Sequence, residues 1–117
     1  MNLEKLYQEM GGDMADAVRR LGSASAVERF LRMFAGDDTF AMLQAAMSAG
    51  DVQRAFRAAH TLKGVAQNLG FDRLYTAVFA LTEQLRGGKP MQNEQDWLAV
   101  QQAQKTVLEG IAQFGQQ

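Results

Sequence analysis

Apolar residues recur three and four positions apart throughout the chain, and glycines interrupt this pattern at short intervals. Such spacing places apolar side chains along one face of an α-helix, and a glycine after the segment commonly ends it. No stretch shows the β-branched alternation that is typical of strands. The sequence therefore predicts an all-α protein whose helices are joined by short turns.

Capping residues and glycines predict where the helices begin and end. Asp13 is placed to cap a second short helix, and a capping box from Ser25 to Glu28 is expected to open a third. Asp51 follows Gly50 directly, which predicts a tight helical hairpin. The remaining helices are expected from Asp37 or Asp38 to Gly50, from Val52 to Leu69, from Asp72 to Leu85, and from about Glu94 to Phe114.

Four long amphipathic helices with short connections pack best as an antiparallel up-down four-helix bundle. The chain of 117 residues fits a single domain. We expect residues 1–24 to form additional short N-terminal helices that cap the bundle, and residues 25–117 to form the bundle itself. Met33, Met42 and Met47 occur at helical spacing and are expected to fill the core.

Composition excludes several classes of function. The chain has no cysteine and one histidine, which argues against disulfides and a structural metal site. A formal net charge of −1 gives no general attraction to nucleic acid or anionic lipid. The start MNLEKLYQEM lacks the pattern of a signal peptide, and no apolar run approaches the ~18 residues of a membrane span. We therefore expect a cytoplasmic monomer.

The histidine lies in the stretch AHTLKGVAQNLGF, residues 59–71. On a helical wheel the core arc is formed by Val52, Ala55, Ala59, Leu62, Ala66 and Leu69. His60 lies at the edge of this arc, and Phe56, Lys63, Gly64 and Gln67 lie on the same side. A glycine in the middle of a helix costs roughly 1 kcal/mol relative to alanine, so Gly64 indicates that another molecule must come close to His60.

The chemistry of this face favours capture of a phosphoryl group. Residues 52–71 contain no Asp or Glu but include Arg54, Arg57 and Lys63, so an anion is tolerated there. A neutral imidazole is a nucleophile, and a hydrogen bond to its second nitrogen decides which nitrogen attacks. If the next helix folds back at Gly70, the candidates to orient the imidazole are Thr82 and Gln84.

With these residues assembled, AHTLKG followed by NLG resembles the motif of histidine-containing phosphotransfer (HPt) domains of bacterial multistep phosphorelays. The resemblance continues through FLRMFAGDDTFAMLQAAMSAGDVQRAFRAAHTLKG and FDRLYTAVFALTEQLRGG, and covers about residues 28–114. It implies a four-helix bundle in which His60 accepts a phosphoryl group from the aspartyl phosphate of one receiver domain and passes it to another. It also implies that Lys63 stabilises the phosphoryl group and that Gly64 admits the receiver.

Other positions follow the family less closely. Val65 is bulkier than the small residue that many relatives have there, and some relatives orient the imidazole with a glutamine where this chain has Thr82. Gln67 is expected to border the docking surface. The partners implied are response regulator receiver domains and a hybrid sensor histidine kinase, and any Mg²⁺ is expected on the receiver, with no cofactor on this chain.

The sequence shows no nucleotide-binding motif of its own. Arg86-Gly87-Gly88-Lys89 lacks the preceding strand and the following Ser or Thr of a phosphate loop, so it is interpreted as a helix-ending turn. A protein without an ATP site must receive its phosphoryl group from a partner, which predicts a relay intermediate and not a kinase. The alternative hypothesis is a helical adaptor that binds a receiver or kinase domain and relays nothing.

Overall fold

The computed structural model describes residues 1–116. Within them the chain forms α1 (Leu3–Met10), α2 (Met14–Leu21), α3 (Ala24–Ala35), α4 (Thr39–Ala49), α5 (Val52–Asn68), α6 (Asp72–Leu85) and α7 (Glu94–Gly115). A 3₁₀ turn, Arg86–Gly88, follows α6, and this part of the chain contains no strand. The predicted all-α fold is confirmed.

Most helix ends lie where the sequence predicts them. The side chains of Asp13 and Asp51 each accept a hydrogen bond from the backbone N–H three residues on, as N-caps do. The predicted capping box at Ser25 is wrong, because Ser23 has the extended backbone of an N-cap and its hydroxyl accepts from the N–H of Ala26. Ser25 therefore lies inside α3, whose first residue is Ala24.

One continuous core joins the helices. The helices α4, α5, α6 and α7 each pack against the next, while α1 packs on α7 and α2 on α3. Leu43, Leu62, Val78 and Val107 contribute fully buried side chains from the four consecutive helices. These contacts establish a helical bundle, and its up-down order stays a prediction.

Two methionines expected in the core are exposed instead. Met33 is 59% exposed and Met42 is 60% exposed, whereas Met47 is partly buried against the core. Successive helical residues turn by about 100°. Met33, two residues after the buried Leu31, and Met42, one residue before the buried Leu43, therefore face outward. Helical spacing alone did not separate these edge positions from the buried face.

Backbone hydrogen bonds fasten the turn between α1 and α2 to the turn between α5 and α6. The N–H of Asp13 donates to the carbonyl of Gly70 at 2.8 Å, and the N–H of Arg73 donates to the carbonyl of Gly11 at 3.0 Å. Gly70 has φ of 70°, and a Cβ there would lie 2.4 Å from the carbonyl oxygen of Asp13. We call this pairing of residues 11–13 with residues 70–73 the N-terminal tie.

Tyr7 strengthens the same junction from α1. Its hydroxyl donates to the carbonyl of Leu69 at 2.7 Å, and its ring packs against Phe71 with centroids 6.1 Å apart. The side chain is 1% exposed, and this burial raises the pKa of the Tyr7 hydroxyl. Helix α1 and the turn after it thus hold the carboxyl end of α5 in place.

Candidate functional site

Helix α5 presents the only histidine of the chain to solvent. The predicted core arc is confirmed for Ala55, Ala59, Leu62, Ala66 and Leu69, which are all buried, whereas Val52 is only partly buried. Burial of this arc fixes the rotation of α5 about its own axis, because a helix turned by one residue would expose it. His60 is therefore exposed near the middle of a helix whose two ends are held by a cap and a tie.

The imidazole is supported on one side and open on the other. The Phe56 ring lies nearly parallel to the His60 ring, with an interplanar angle of 13° and centroids 6.1 Å apart. At Gly64, a Cβ would meet no atom of residues 1–116 within 4 Å, apart from its own helix backbone and chain neighbours. Nothing in the fold itself requires glycine there, so the open space is available to a partner.

Lys63 projects towards α6. Its ammonium nitrogen lies 5.4 Å from the centroid of the Phe79 ring, which is a cation–π distance. Phe79 is itself 43% exposed. The cation that follows His60 by three residues is thus at the surface, resting on an aromatic ring of the neighbouring helix.

The end of α6 adds an ion pair that the sequence did not predict. Arg86 Nε lies 2.8 Å from Glu83 Oε2, and Arg86 Nη2 lies 3.3 Å from Glu83 Oε1. The guanidinium carbon is also 5.4 Å from the centroid of the Phe56 ring. The hydrogen bond from Arg86 lowers the pKa of Glu83, and the charges of Arg86 and Lys63 lower it further. Although α5 contains no Asp or Glu, α6 contributes the carboxylate of Glu83, which is paired with Arg86.

We call this face the His60 surface. It consists of Phe56, His60, Lys63 and Gly64 from α5, Phe79 and Glu83 from α6, and Arg86 from the 3₁₀ turn that follows α6. The spacing of the last three residues, four and then three, places them on one face of a helix, and this signal was present in the sequence. The helix-ending turn interpreted at Arg86-Gly87-Gly88-Lys89 is confirmed for Arg86–Gly88, but that interpretation did not consider the side chain of Arg86.

The two candidates for orienting the imidazole are both engaged elsewhere. Thr82 is completely buried, and its hydroxyl donates to the carbonyl of Val78 at 2.7 Å. Within residues 1–116 no hydrogen bond joins it to His60, so its role stays a prediction without a supporting contact.

Gln84 fastens the connection between α6 and α7. Its Oε1 accepts from the N–H groups of Gln92 and Asn93 at 2.8 and 2.9 Å. Its Nε2 donates to the carbonyl of Asn93 and to the carboxylate of Asp96. With both ends of the amide engaged, Gln84 has a structural role in place of the orienting role considered from the sequence.

Two further α5 positions were considered from the sequence, Gln67 and Val65. Gln67 is exposed, and its backbone carbonyl accepts a hydrogen bond from the N–H of Gly70 at 3.2 Å. Val65 is half-buried and lines a groove with Phe30 and Phe34 of α3. Its extra bulk relative to a small residue is therefore directed at α3.

A second groove runs between α4 and α5 and is lined by Thr61, the residue that follows His60. Its floor contains Met42 and several alanines, while Arg54, Arg57 and Thr61 line the α5 side. Within residues 1–116 no group of three or more His, Asp or Glu side chains could hold a metal ion. In the same range no helix is long and apolar enough to cross a membrane.

The Hpt domain family model matches residues 2–114. This match is wider than the resemblance over residues 28–114 that the sequence predicted, because it includes the N-terminal helices. No curated protein and no solved structure matches the chain significantly. Since the model covers essentially the whole chain, the chain belongs to the Hpt domain family.

Proposed function

We propose that this protein is a phosphorelay intermediate in which His60 accepts a phosphoryl group from the aspartyl phosphate of a receiver domain and passes it to another response regulator. Membership of the Hpt family implies a role in histidine phosphotransfer, and Hpt domains are phosphotransfer modules and not kinases. The observation that carries the proposal for His60 is its exposure on α5, backed by Phe56 and open at Gly64.

The transfer step requires only a nucleophilic nitrogen from this chain. The lone pair of one imidazole nitrogen attacks phosphorus, the N–P bond forms, and the P–O bond to the receiver's aspartate breaks. The aspartate leaves as a carboxylate, and the proton on the second ring nitrogen stays there or passes to water. The same step in reverse, with a different receiver, returns the group to an aspartate. Mg²⁺, which belongs to the receiver in this proposal, supplies charge neutralisation from the partner's side.

Lys63 is the residue that we propose to stabilise phosphorylated His60. A phosphoryl group carries roughly −1.5 to −2 charges near neutral pH and offers strong acceptor oxygens. Lys63 follows His60 by three residues, so its side chain starts from the same face of α5. Its present contact is a cation–π interaction at the surface, which the flexible side chain can leave at low cost.

We propose that the receiver docks over Gly64 and extends into the groove between α4 and α5. Met42 supplies exposed apolar area in that groove and Arg57 supplies positive charge, while Arg54 is paired with Asp51 at 3.4 Å. A receiver surface with an apolar patch bordered by carboxylates fits these features. Gln67 follows His60 by seven residues, or about two turns of α5, and is proposed to border the interface. A monomeric state and a cytoplasmic location stay predictions.

The direct test mixes the protein with a receiver domain carrying labelled phosphate on its aspartate. We expect acid-labile, alkali-stable label on the wild-type protein and none on the His60→Gln variant. A matched control, Gln102→Ala, changes an exposed residue of α7 and should accept label like the wild type. If His60→Gln keeps receiver binding and the biological effect while the wild type takes no label, the adaptor hypothesis replaces the relay.

A further inference from the structure

Glu83 is an anion placed within a surface that the proposed function requires to bind another anion. Both of its carboxylate oxygens are engaged by the guanidinium of Arg86, in the fork geometry that makes such pairs specific. The carboxylate is partly exposed, at 43%. It is therefore both ordered by Arg86 and accessible to competition from solvent or from a new charge.

The guanidinium that Glu83 holds shares an aromatic support with the imidazole. Arg86 lies over the Phe56 ring at 5.4 Å, and the His60 ring is the near-parallel neighbour of that same ring. Arg86 is thus a cation of the His60 surface, and the carboxylate of Glu83 accepts hydrogen bonds from its Nε and Nη2 groups.

Lys63 is drawn to the same side. Its ammonium rests on Phe79, which lies one turn before Glu83 on α6, and its positive charge contributes to lowering the pKa of the Glu83 carboxyl. Of the two cations of the His60 surface, Arg86 is thus paired with Glu83, and Lys63 lies on the aromatic ring one turn before it. A phosphoryl group on His60 would have to attract them against this carboxylate.

We propose that Glu83 is an internal counter-ion that competes with the phosphoryl group for Lys63 and Arg86, and so weakens the phosphorylated state of His60. This inference rests on the proposed function. Its consequence is that the phosphoryl group is held loosely enough to leave for the next receiver. Glu83 does not touch the reacting atoms, so it is a positioning residue that acts through the two cations.

The test measures the equilibrium constant for phosphoryl exchange between a receiver domain and the protein, from label on each after mixing. Glu83→Gln keeps the size of the side chain and removes its charge. We expect it to shift the equilibrium towards the phosphorylated protein by about two- to five-fold, the range produced by exposed charge pairs. The shift should shrink at high salt, because screening weakens interactions between exposed charges.

Two further variants separate this effect from a change in net charge or in packing. Glu109→Gln removes the same charge from an exposed position on α7, which forms no ion pair within residues 1–116, and should leave the equilibrium unchanged. Glu83→Asp keeps the charge and should restore most of the wild-type value. Thermal unfolding of each variant verifies that the bundle is intact.

The outcomes are distinguishable. A Glu83→Gln equilibrium equal to that of the wild type at low salt would overturn the inference and leave the proposed function standing, because the wild type would still take label. An equal shift in Glu109→Gln would also overturn it, since net charge would then explain the effect. A wild-type protein that takes no label from any receiver would refute the proposed function and this inference with it.

Discussion

Substitutions of Gly64 test whether glycine is required at this position for stability of the fold or for binding of a partner. It lies inside α5, and a Cβ there would meet no atom of residues 1–116 within 4 Å beyond its own helix backbone and chain neighbours. Alanine is favoured over glycine in a helix interior by about 1 kcal/mol. With no packing cost to offset that gain, Gly64→Ala should stabilise the isolated protein by about 1 kcal/mol.

Gly110 provides the matched control, since it also lies inside a long helix. There a Cβ would lie 2.7 Å from Leu6 Cδ1 and 3.4 Å from Met10 Cγ, at the contact of α1 with α7. Overpacking of a core typically costs about 1–3 kcal/mol, which cancels or exceeds the helical gain. Gly110→Ala should therefore leave stability unchanged or lower it by about 2 kcal/mol.

Urea unfolding followed by circular dichroism measures both free energies. For a domain of this size, 1 kcal/mol corresponds to about 4 °C in the midpoint of thermal unfolding. Phosphotransfer is measured in parallel, from a labelled receiver and from a small phosphoramidate donor. Gly64→Gln should slow transfer from the receiver about ten-fold or more, equivalent to about 1.4 kcal/mol. Transfer from the small donor should be unaffected, because that donor needs little room.

Two results would refute this reasoning. If Gly64→Ala destabilises the protein, then glycine is required by the fold and not by a partner. If Gly64→Gln takes the phosphoryl group from a receiver at the wild-type rate, then no partner backbone approaches that position.

Three other residues carry independent predictions. Tyr7→Phe should cost about 1–2 kcal/mol by leaving the buried carbonyl of Leu69 without its donor. Burial raises the pKa of Tyr7 above its ordinary value of 10.0, so the free energy of unfolding of the wild type should be constant below that pH and fall above it. Tyr7→Phe has no hydroxyl to ionise there, so its free energy of unfolding should fall less. Urea midpoints measured across alkaline pH test both expectations. Gln104 is 5% exposed, and its Oε1 has no hydrogen-bond partner within residues 1–116. Gln104→Met should therefore raise the free energy of unfolding by about 1 kcal/mol. A lower melting temperature would count against this. Gln84→Ala should cost about 1–2 kcal/mol by releasing Asn93, yet leave the extent of His60 labelling unchanged; loss of labelling would return Gln84 to the role of orienter.

Local features of the sequence predicted much of the fold. The caps at Asp13 and Asp51 and the buried arc of α5 depend on residues within one or two turns, and the structure agrees with each. The start of α3 was misplaced because Ser23 and Ser25 are both acceptable N-caps. The apolar spacing that follows them is compatible with a helix that begins after either serine. Met33 was wrongly assigned to the core because residues at the edge of a buried helix face recur at the same three- and four-residue spacing as those at its centre.

The candidate site was predicted only as far as α5 extends. His60, Gly64 and Lys63 lie together because one helix fixes their relative positions. Glu83 and Arg86 join them through the rotation of α6 against α5, which packing of the whole bundle decides. The sequence predicted that α6 would follow a short turn at Gly70, but not which of its faces would meet Lys63.

The N-terminal tie has a consequence for how this chain can change over generations. Its two reciprocal bonds join backbone atoms of residues 11–13 to those of residues 70–73, so they do not depend on the identity of most side chains there. Gly70 is constrained, since a Cβ would collide with the Asp13 carbonyl. The amino acids around it are free to drift while the junction persists. Similarity of sequence can therefore fade in this segment long before similarity of shape does.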